Sequence, residues 1–241
     1  MADRTLPTGT EDAGTETRRQ VDAFLRKVAT LSPRPAPGRR GRLVFALDAT
    51  ASRQPTWDRA MQIQAEMFGA AAGLGGLAVQ LVFYRGFGEC KAGPWLTGAP
   101  EMLRRMTAVT CQGGQTQIGK VLAHALRQTR AEKVAALVFV GDACEEDPDR
   151  LCHQAGELGL LGVPVFMFQE GGDAAARTVF QQIARLSGGA WCPFDAGSAQ
   201  QLKDLLQAVA VFAAGGRPAL RDWSRGRSET VLRLTHQLGK D

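Results

Sequence analysis

The chain has 241 residues, of which 44% are hydrophobic and 22% charged; this is the composition of a globular protein long enough to bury a substantial core. It contains no apolar run near the ~20 residues that cross a bilayer, and its first 19 residues lack the apolar region of a secretory signal. We therefore expect a cytoplasmic protein with no membrane segment.

The formal net charge of +5 belongs to the two ends of the sequence. Residues 1–42 carry nine Lys and Arg against five Asp and Glu, and residues 217–241 carry six against three. Basic tails can contact nucleic acid, but these tails lack interleaved aromatic residues for base stacking, so nucleic-acid binding is not the favoured interpretation. The five cysteines are scattered and form no C-x-x-C pair, which argues against a disulfide framework or a zinc ribbon.

Composition divides the chain into three segments. Residues 1–42 are polar and read as a flexible N-terminal segment, with a short amphipathic stretch at 21–31 that can form a helix and a linker rich in proline and glycine after it. Residues 43–214 carry the apolar periodicity of a folded domain. Residues 215–241 form a basic C-terminal extension.

Within the domain, short apolar runs alternate with amphipathic segments. In chain order, the runs predict strands at 43–48, 77–85, 90–97, 133–142, 163–169 and 190–194. The segments of helical period predict helices at 56–74, 99–107, 116–130, 148–161, 173–187 and 198–214. Pro94 marks 90–97 as an edge strand, and Asp147-Pro148 is typical of a helix start. The alternation predicts a doubly wound, Rossmann-like α/β fold: a mostly parallel sheet with helices on both faces and one antiparallel edge strand.

Two of the predicted strands end in an aspartate. The first is followed by a short loop that carries Asp48, Thr50 and Ser52 at alternate positions, and the strand at 133–142 ends at Asp142. Between them, a Gly-Gly turn opens a helix and presents Thr116. Functional groups of a parallel sheet collect outside the carboxyl ends of its strands, so we expect these two carboxylates and three hydroxyls to converge.

Such a cluster has the chemistry of a site for a hard divalent cation. Mg²⁺ takes oxygen ligands in near-octahedral geometry and often keeps waters, and two carboxylates balance its charge. The sequence therefore predicts a magnesium site, with Mn²⁺ or Ca²⁺ as alternative occupants. An aspartate at a strand end is also a common helix cap, so the prediction depends on all three elements occurring in order.

The same three elements resemble the metal-ion-dependent adhesion site of von Willebrand factor A (vWA) domains. The family motif Asp-x-Ser-x-Ser is similar to Asp48-Ala49-Thr50-Ala51-Ser52, with threonine as the middle hydroxyl. The glycine pair followed by a metal-binding threonine is similar to Gly113-Gly114-Gln115-Thr116, and the strand ending in aspartate to Val140-Gly141-Asp142. Many members have Thr-Asp-Gly at the third element, where this chain has Gly-Asp-Ala. The resemblance covers about residues 43–214.

The resemblance implies a metal-dependent protein-interaction module in which bound Mg²⁺ coordinates an Asp or Glu side chain of a partner protein. Because intracellular bacterial members of this family often work beside chaperone-like AAA+ ATPases, an ATPase of that class is one candidate partner. The alternative is a Mg²⁺-dependent hydrolase or phosphotransferase that uses the same cluster, although no general base or cationic phosphate clamp stands beside it in the sequence. An RNA-associated scaffold that uses the basic tails is a third hypothesis.

Two further stretches lie near the predicted site. The acids Glu145, Glu146 and Asp147 follow Asp142; we interpret them as helix N-terminal residues favoured by the helix dipole, with a negative rim around the site as the alternative. Residues 84–89 form a loop predicted to flank the site, with Arg85 or Glu89 touching groups around the ligands.

Overall fold

The computed structural model describes residues 41–53, 77–194 and 207–213, together with the isolated positions 19 and 23. The helix predicted at 56–74 lies outside the described residues, as do both chain ends and nearly all of the stretch predicted at 21–31. Of the last predicted helix, 207–213 is described and is helical.

The described strands form one six-stranded sheet in the order β3-β2-β1-β4-β5-β6. These strands are β1 (Gly41–Asp48), β2 (Leu77–Arg85), β3 (Glu89–Leu96), β4 (Ala136–Gly141), β5 (Val165–Glu170) and β6 (Ala190–Phe194). All neighbours pair in parallel except β3, which runs antiparallel to β2 at the sheet edge. The predicted fold class, including the antiparallel edge strand, is confirmed.

Four described helices connect these strands. They are α1 (Ala99–Thr107), α2 (Ile118–Ala131), α3 (Pro148–Leu160) and α4 (Ala174–Leu186). The Asp147 side chain accepts a hydrogen bond from Asp149 N at 3.0 Å, which confirms the predicted start of α3. Among the described residues, no helix is long and apolar enough to cross a membrane.

Each face of the sheet carries its own apolar core, because successive strand residues point to opposite sides. In β1, Val44 and Ala46 point into the core beneath α2, α3 and α4, whereas Phe45 and Leu47 point into the core shared with α1 and residues 207–213. Every residue of β1 is buried. A strand covered on both faces explains why its sequence is an unbroken apolar run rather than an alternating one.

The first strand begins at Gly41, two residues before the start expected from sequence. Arg42 is buried in it, with its guanidinium 3.9 Å from the centre of the Trp95 ring. The same guanidinium donates to Glu132 O at 2.7 Å and to Gln128 Oε1 at 3.2 Å. Arg42 therefore links the start of β1 to β3 and to the end of α2. Its position in a basic, linker-like stretch of the sequence gives no indication of this role.

Candidate metal centre

The candidate site lies where the strand order reverses. The chain leaves β1 for β2 and β3 on one side and returns to β4 on the other, and α/β folds commonly bind their ligands at such a switch point. The register pairs Leu47 with Val140, which brings the ends carrying Asp48 and Asp142 side by side. A methyl group built at Gly141 would lie 3.5 Å from Asp48 Cβ, so the two strand ends are in close contact.

Both carboxylates carry a buried oxygen that lacks a partner. Asp48 is 1% exposed; its Oδ1 accepts a hydrogen bond from Thr50 N at 2.8 Å, but its Oδ2 accepts none from the described residues. Asp142 Oδ1 is also buried and accepts no hydrogen bond from the described residues. Burial raises the pKa of Asp48 from 3.8 to about 6, and the negative charge of Asp142 adds to the increase.

The three hydroxyls lie on the loops around these carboxylates. Thr50 Oγ1 and Ser52 Oγ are 3.0 Å apart; Thr50 is buried and Ser52, in a short 3-10 turn, is exposed. Thr116 is buried, and its Oγ1 accepts a hydrogen bond from Glu145 N at 3.1 Å. That bond joins the loop of Thr116 to the loop that follows Asp142.

Backbone contacts tie the first loop to the second. Gln112 N donates to Ala49 O at 3.0 Å, and Gln112 and Thr50 form an isolated parallel bridge. On the other side, Gln115 N donates to Gly86 O at 3.2 Å. The Thr116 loop is therefore held between the loop after β1 and the turn after β2.

Glu145 and Glu146 cap a helix, but not the one that follows them in sequence. Glu145 Oε2 accepts from Thr116 N at 2.8 Å, and Glu146 accepts from Ile118 N and from Gly119 N. The residue before α2, Gln117, offers no side-chain cap, so the first amides of α2 are satisfied by carboxylates from another loop. The expected helix N-terminus is therefore that of α2 for Glu145 and Glu146 and that of α3 for Asp147.

The residues present fit a divalent metal ion. Four buried side-chain oxygens in the described part of the chain lack a hydrogen-bond partner, and three of them belong to Asp48, Asp142 and Tyr84. Buried polar atoms without partners are rare and call for a water or an ion. No group of three or more His, Cys, Asp or Glu that would hold a metal occurs in the described residues, so an ion here would need the hydroxyls besides the two carboxylates. Such an all-oxygen donor set suits a hard cation.

Solved structures of low sequence identity share this architecture. A von Willebrand factor type A structure from Catenulispora acidiphila superposes with a TM-score of 0.58 at 17% identity, covering 72% of this chain and 43% of that one. The VWA domain of SpRpn10 gives 0.57 at 12% identity, with 69% of this chain and 94% of that one covered. The chain has the von Willebrand factor A fold.

A third structure of similar fold holds a metal ion in its own MIDAS motif. Proximal thread matrix protein 1 from the mussel byssus, whose MIDAS motif is occupied by zinc, gives a TM-score of 0.58 at 15% identity and covers 71% of this chain and 46% of that one. No protein-family model matches the present sequence, and no curated protein sequence matches it. The resemblance drawn from the motifs is thus confirmed in the fold; the ligand roles of the five residues stay a prediction.

The turn after β2 flanks the site of this vWA fold through its backbone. The carbonyls of Arg85 and Gly86 accept from Gln117 Nε2 at 3.1 and 3.3 Å. The Arg85 side chain instead donates to Glu89 at 3.0 Å and to Thr110 at 2.8 Å. Arg85 and Glu89 therefore pair with each other and stabilise the turn. This pair takes the place of the contacts that we expected them to make with groups around the ligands.

Sequence reasoning missed Tyr84 and Gln117. Tyr84, the single tyrosine of the chain, pairs with Asp48 in the β1–β2 register. Its buried hydroxyl lies near that carboxylate but makes no hydrogen bond of normal geometry in the described structure. The sequence signal for Tyr84 was a single hydroxyl group near the end of apolar strand β2, which neighbours the strand β1 that ends in Asp48. Gln117 gave no signal, because its partners are carbonyls distant in sequence.

Gly114 should be indispensable for the position of Thr116. A methyl group at residue 114 would overlap the carbonyl of Gly86, whereas one at Gly113 would meet nothing within 4 Å. We expect Gly114→Ala to shift the Thr116 loop, weaken Mg²⁺ binding at least about tenfold and cost about 1–3 kcal/mol of stability. Gly113→Ala is the matched control and should change the Mg²⁺ affinity and the stability by far less. Isothermal titration calorimetry and urea unfolding give the two readouts, and equal metal affinity in the two variants would contradict the prediction.

The metal-free protein should become more stable on mild acidification. The pKa of Asp48 is raised in the folded state to about 6, so the folded state binds more protons than the unfolded state between about pH 4 and 6. Stability from this group is present below pH 4 and lost as the pH rises through 6. Raising the pKa of Asp48 from 3.8 to about 6 corresponds to about 3 kcal/mol of unfolding free energy.

Urea unfolding with a chelator at pH 5 and at pH 7 measures this effect. The Asp48→Asn protein cannot ionise at this position and should lose most of the difference between the two pH values. Saturating Mg²⁺ should also reduce it, because a bound cation favours the ionised carboxylate. A difference that is unchanged in Asp48→Asn would show that other groups cause it.

Proposed function

We propose that this chain is a metal-dependent protein-interaction module. The observation that supports this most directly is the pair of buried, unpartnered carboxylate oxygens of Asp48 and Asp142 at the switch point of the sheet, beside hydroxyl groups. When bound there, a divalent ion supplies a coordination position for an acidic side chain from outside. Mg²⁺ is the proposed ion because the donors are oxygens, with Mn²⁺, Ca²⁺ or, as in the mussel protein, Zn²⁺ as alternatives.

In this proposal each of the five residues has a defined part. Asp48 and Asp142 provide the negative charge, and Thr50, Ser52 and Thr116 provide neutral oxygens. Ser52 is exposed, so the open side of the site faces the surface near it. The two carboxylates only balance a divalent charge, so an additional carboxylate from a partner is tolerated electrostatically.

The surroundings support binding rather than catalysis. Hydrolysis of a phosphate ester needs a group to activate water and cations to hold the leaving group. Arg85, the cation on the flanking turn, is engaged with Glu89 and Thr110, and Lys120 donates to Gly88 O and Gln117 Oε1. A Mg²⁺-dependent hydrolase or phosphotransferase is retained as the alternative function.

A partner would also meet Phe87. This side chain is 86% exposed on the turn between β2 and β3. Three hydrogen bonds hold this turn. Gln115 N and Gln117 Nε2 donate to Gly86 O, and Lys120 Nζ donates to Gly88 O. Rigidly presented aromatic residues contribute strongly to binding interfaces, since little side-chain entropy is lost. We propose that the partner carries an apolar side chain near its acidic residue; an AAA+ ATPase with such a segment is one candidate.

The metal and partner functions should fail together. We expect Asp48→Ala and Asp142→Ala to abolish Mg²⁺ binding in calorimetry, because each leaves one carboxylate at the site. Immobilised wild-type protein should capture a partner from native cell extract with Mg²⁺ and lose it with chelator, and the variants should capture none.

No phosphate ester or nucleotide should be hydrolysed above background. Turnover that disappears in Asp48→Ala would favour the metallohydrolase, and full Mg²⁺ affinity in both variants would overturn the site.

Phe87→Ala should separate partner binding from metal binding. We expect at least about tenfold weaker capture of the partner with unchanged Mg²⁺ affinity, because an interface aromatic is worth about 1–4 kcal/mol. Leu160, 91% exposed at the far end of α3, provides the control, and Leu160→Ala should leave capture intact. Equal capture by the two variants would exclude Phe87 from the interface.

A further inference from the structure

A second concave site lies beside the metal-site loops and involves none of the five motif residues. It is a cavity of about 290 Å³ between the outer strands β2 and β3, the first turns of α2 and the start of α3. Its apolar lining comes from Val82, Ala92 and Ala123. The volume is just below the range of about 300–1,000 Å³ that is typical of small-molecule sites.

The charged side chains that line this cavity all have the same sign, and the nearby Glu146 carboxylate lies behind Gly119, where it is bound to the amides of Ile118 and Gly119. Lys120, Arg127 and Arg150 line it, and no carboxylate does so among the described residues. Arg127 and Arg150 make no hydrogen bond or ion pair within 4 Å in the described part of the chain, and Arg150 has only a longer-range attraction to Glu146. Three cations around one concavity repel one another and create a positive potential that attracts anions.

Some other exposed arginines of the domain have acidic partners. Arg130, one turn beyond Arg127 on α2, lies 2.9 Å from Glu157, and Arg105 lies 2.8 Å from Glu101. Arg177 and Arg185 are exposed and form no ion pair within 4 Å in the described part of the chain, so the cavity is distinguished by the convergence of three cations around one concavity.

The histidine of the cavity adds no further charge. Gln80 donates through Nε2 to Gly93 O at 2.8 Å, so its Oε1 accepts from His124 Nε2 at 2.7 Å. Burial and the nearby Arg127 lower the pKa of His124, which keeps the ring neutral at pH 7. The positive charge of the cavity thus comes from Lys120 and the two arginines.

We propose that this cavity binds a phosphoryl group. The planar guanidinium fork matches two oxygens of a phosphate and binds it with paired hydrogen bonds. The two arginines enter from different helices, α2 and α3, so a phosphoryl group between them is contacted from two sides. The apolar lining accommodates the carbon part of the molecule that carries it, which is either a small phosphorylated metabolite or a phosphorylated side chain.

Calorimetry with the full chain tests this proposal using three probes: inorganic phosphate, glycerol 3-phosphate and a phosphoserine tripeptide. The titrations contain a chelator and no divalent metal, and they are repeated in Asp48→Ala, so that binding at the metal site cannot contribute. We expect one equivalent of at least one probe to bind, with the same affinity in Asp48→Ala. The probe that binds more tightly identifies the source of the phosphoryl group.

The decisive comparison uses two variants of equal charge. The double variant Arg127→Ala/Arg150→Ala should weaken binding at least about tenfold, which is about 1.4 kcal/mol. The double variant Arg104→Ala/Arg130→Ala removes the same charge from exposed, ion-paired positions and should change affinity less than about twofold. Equal weakening in both would show a general charge effect and overturn the site, as would the absence of binding by all three probes up to about 10 mM at low ionic strength.

Discussion

The structure of the candidate site depends on two carboxylates placed side by side at the ends of neighbouring parallel strands. Parallel pairing of β1 with β4 brings Asp48 and Asp142 together, and burial with mutual repulsion makes their simultaneous ionisation unfavourable. No lysine or arginine of the described residues lowers the pKa of Asp48. A protein that only needed a stable sheet would place neutral residues here, so this arrangement is a cost to folding that a bound cation would offset.

The loops around the carboxylates are held by hydrogen bonds between segments distant in sequence. From the loop after β4, Glu146 accepts from the first two amides of α2, and Glu145 accepts from Thr116 N just before that helix. In return, the Thr116 hydroxyl accepts from Glu145 N. These reciprocal hydrogen bonds link the second motif element to the loop that follows the third. They also show that part of the local negative charge is engaged with backbone N–H groups rather than projecting as a rim for a partner.

The fold could be predicted from sequence because its signals are local. Each signal depends on a few adjacent residues: the apolar runs that are buried on both faces, the proline in the edge strand and the Asp147-Pro148 helix start. The described strand and helix ends differ from the predicted ones by three residues at most. Contacts between distant segments could not be predicted in this way. The burial of Arg42 against Trp95 and the overlap that excludes a side chain at Gly114 depend on which loops meet, which no local pattern encodes.

The helix α2 connects the proposed metal site and the proposed phosphoryl site. Thr116 precedes its first turn at one site, and Lys120 and Arg127 face the other. Between them, Lys120 Nζ donates to Gln117 Oε1 and Gly88 O, and Gln117 Nε2 donates to the carbonyls of the turn that bears Phe87. Since a ligand shifts an equilibrium only through contacts that differ between two states, coupling along this route requires an anion that draws Lys120 away from Gly88 and Gln117. An anion held by the two arginines alone would leave these bonds intact and the two sites independent.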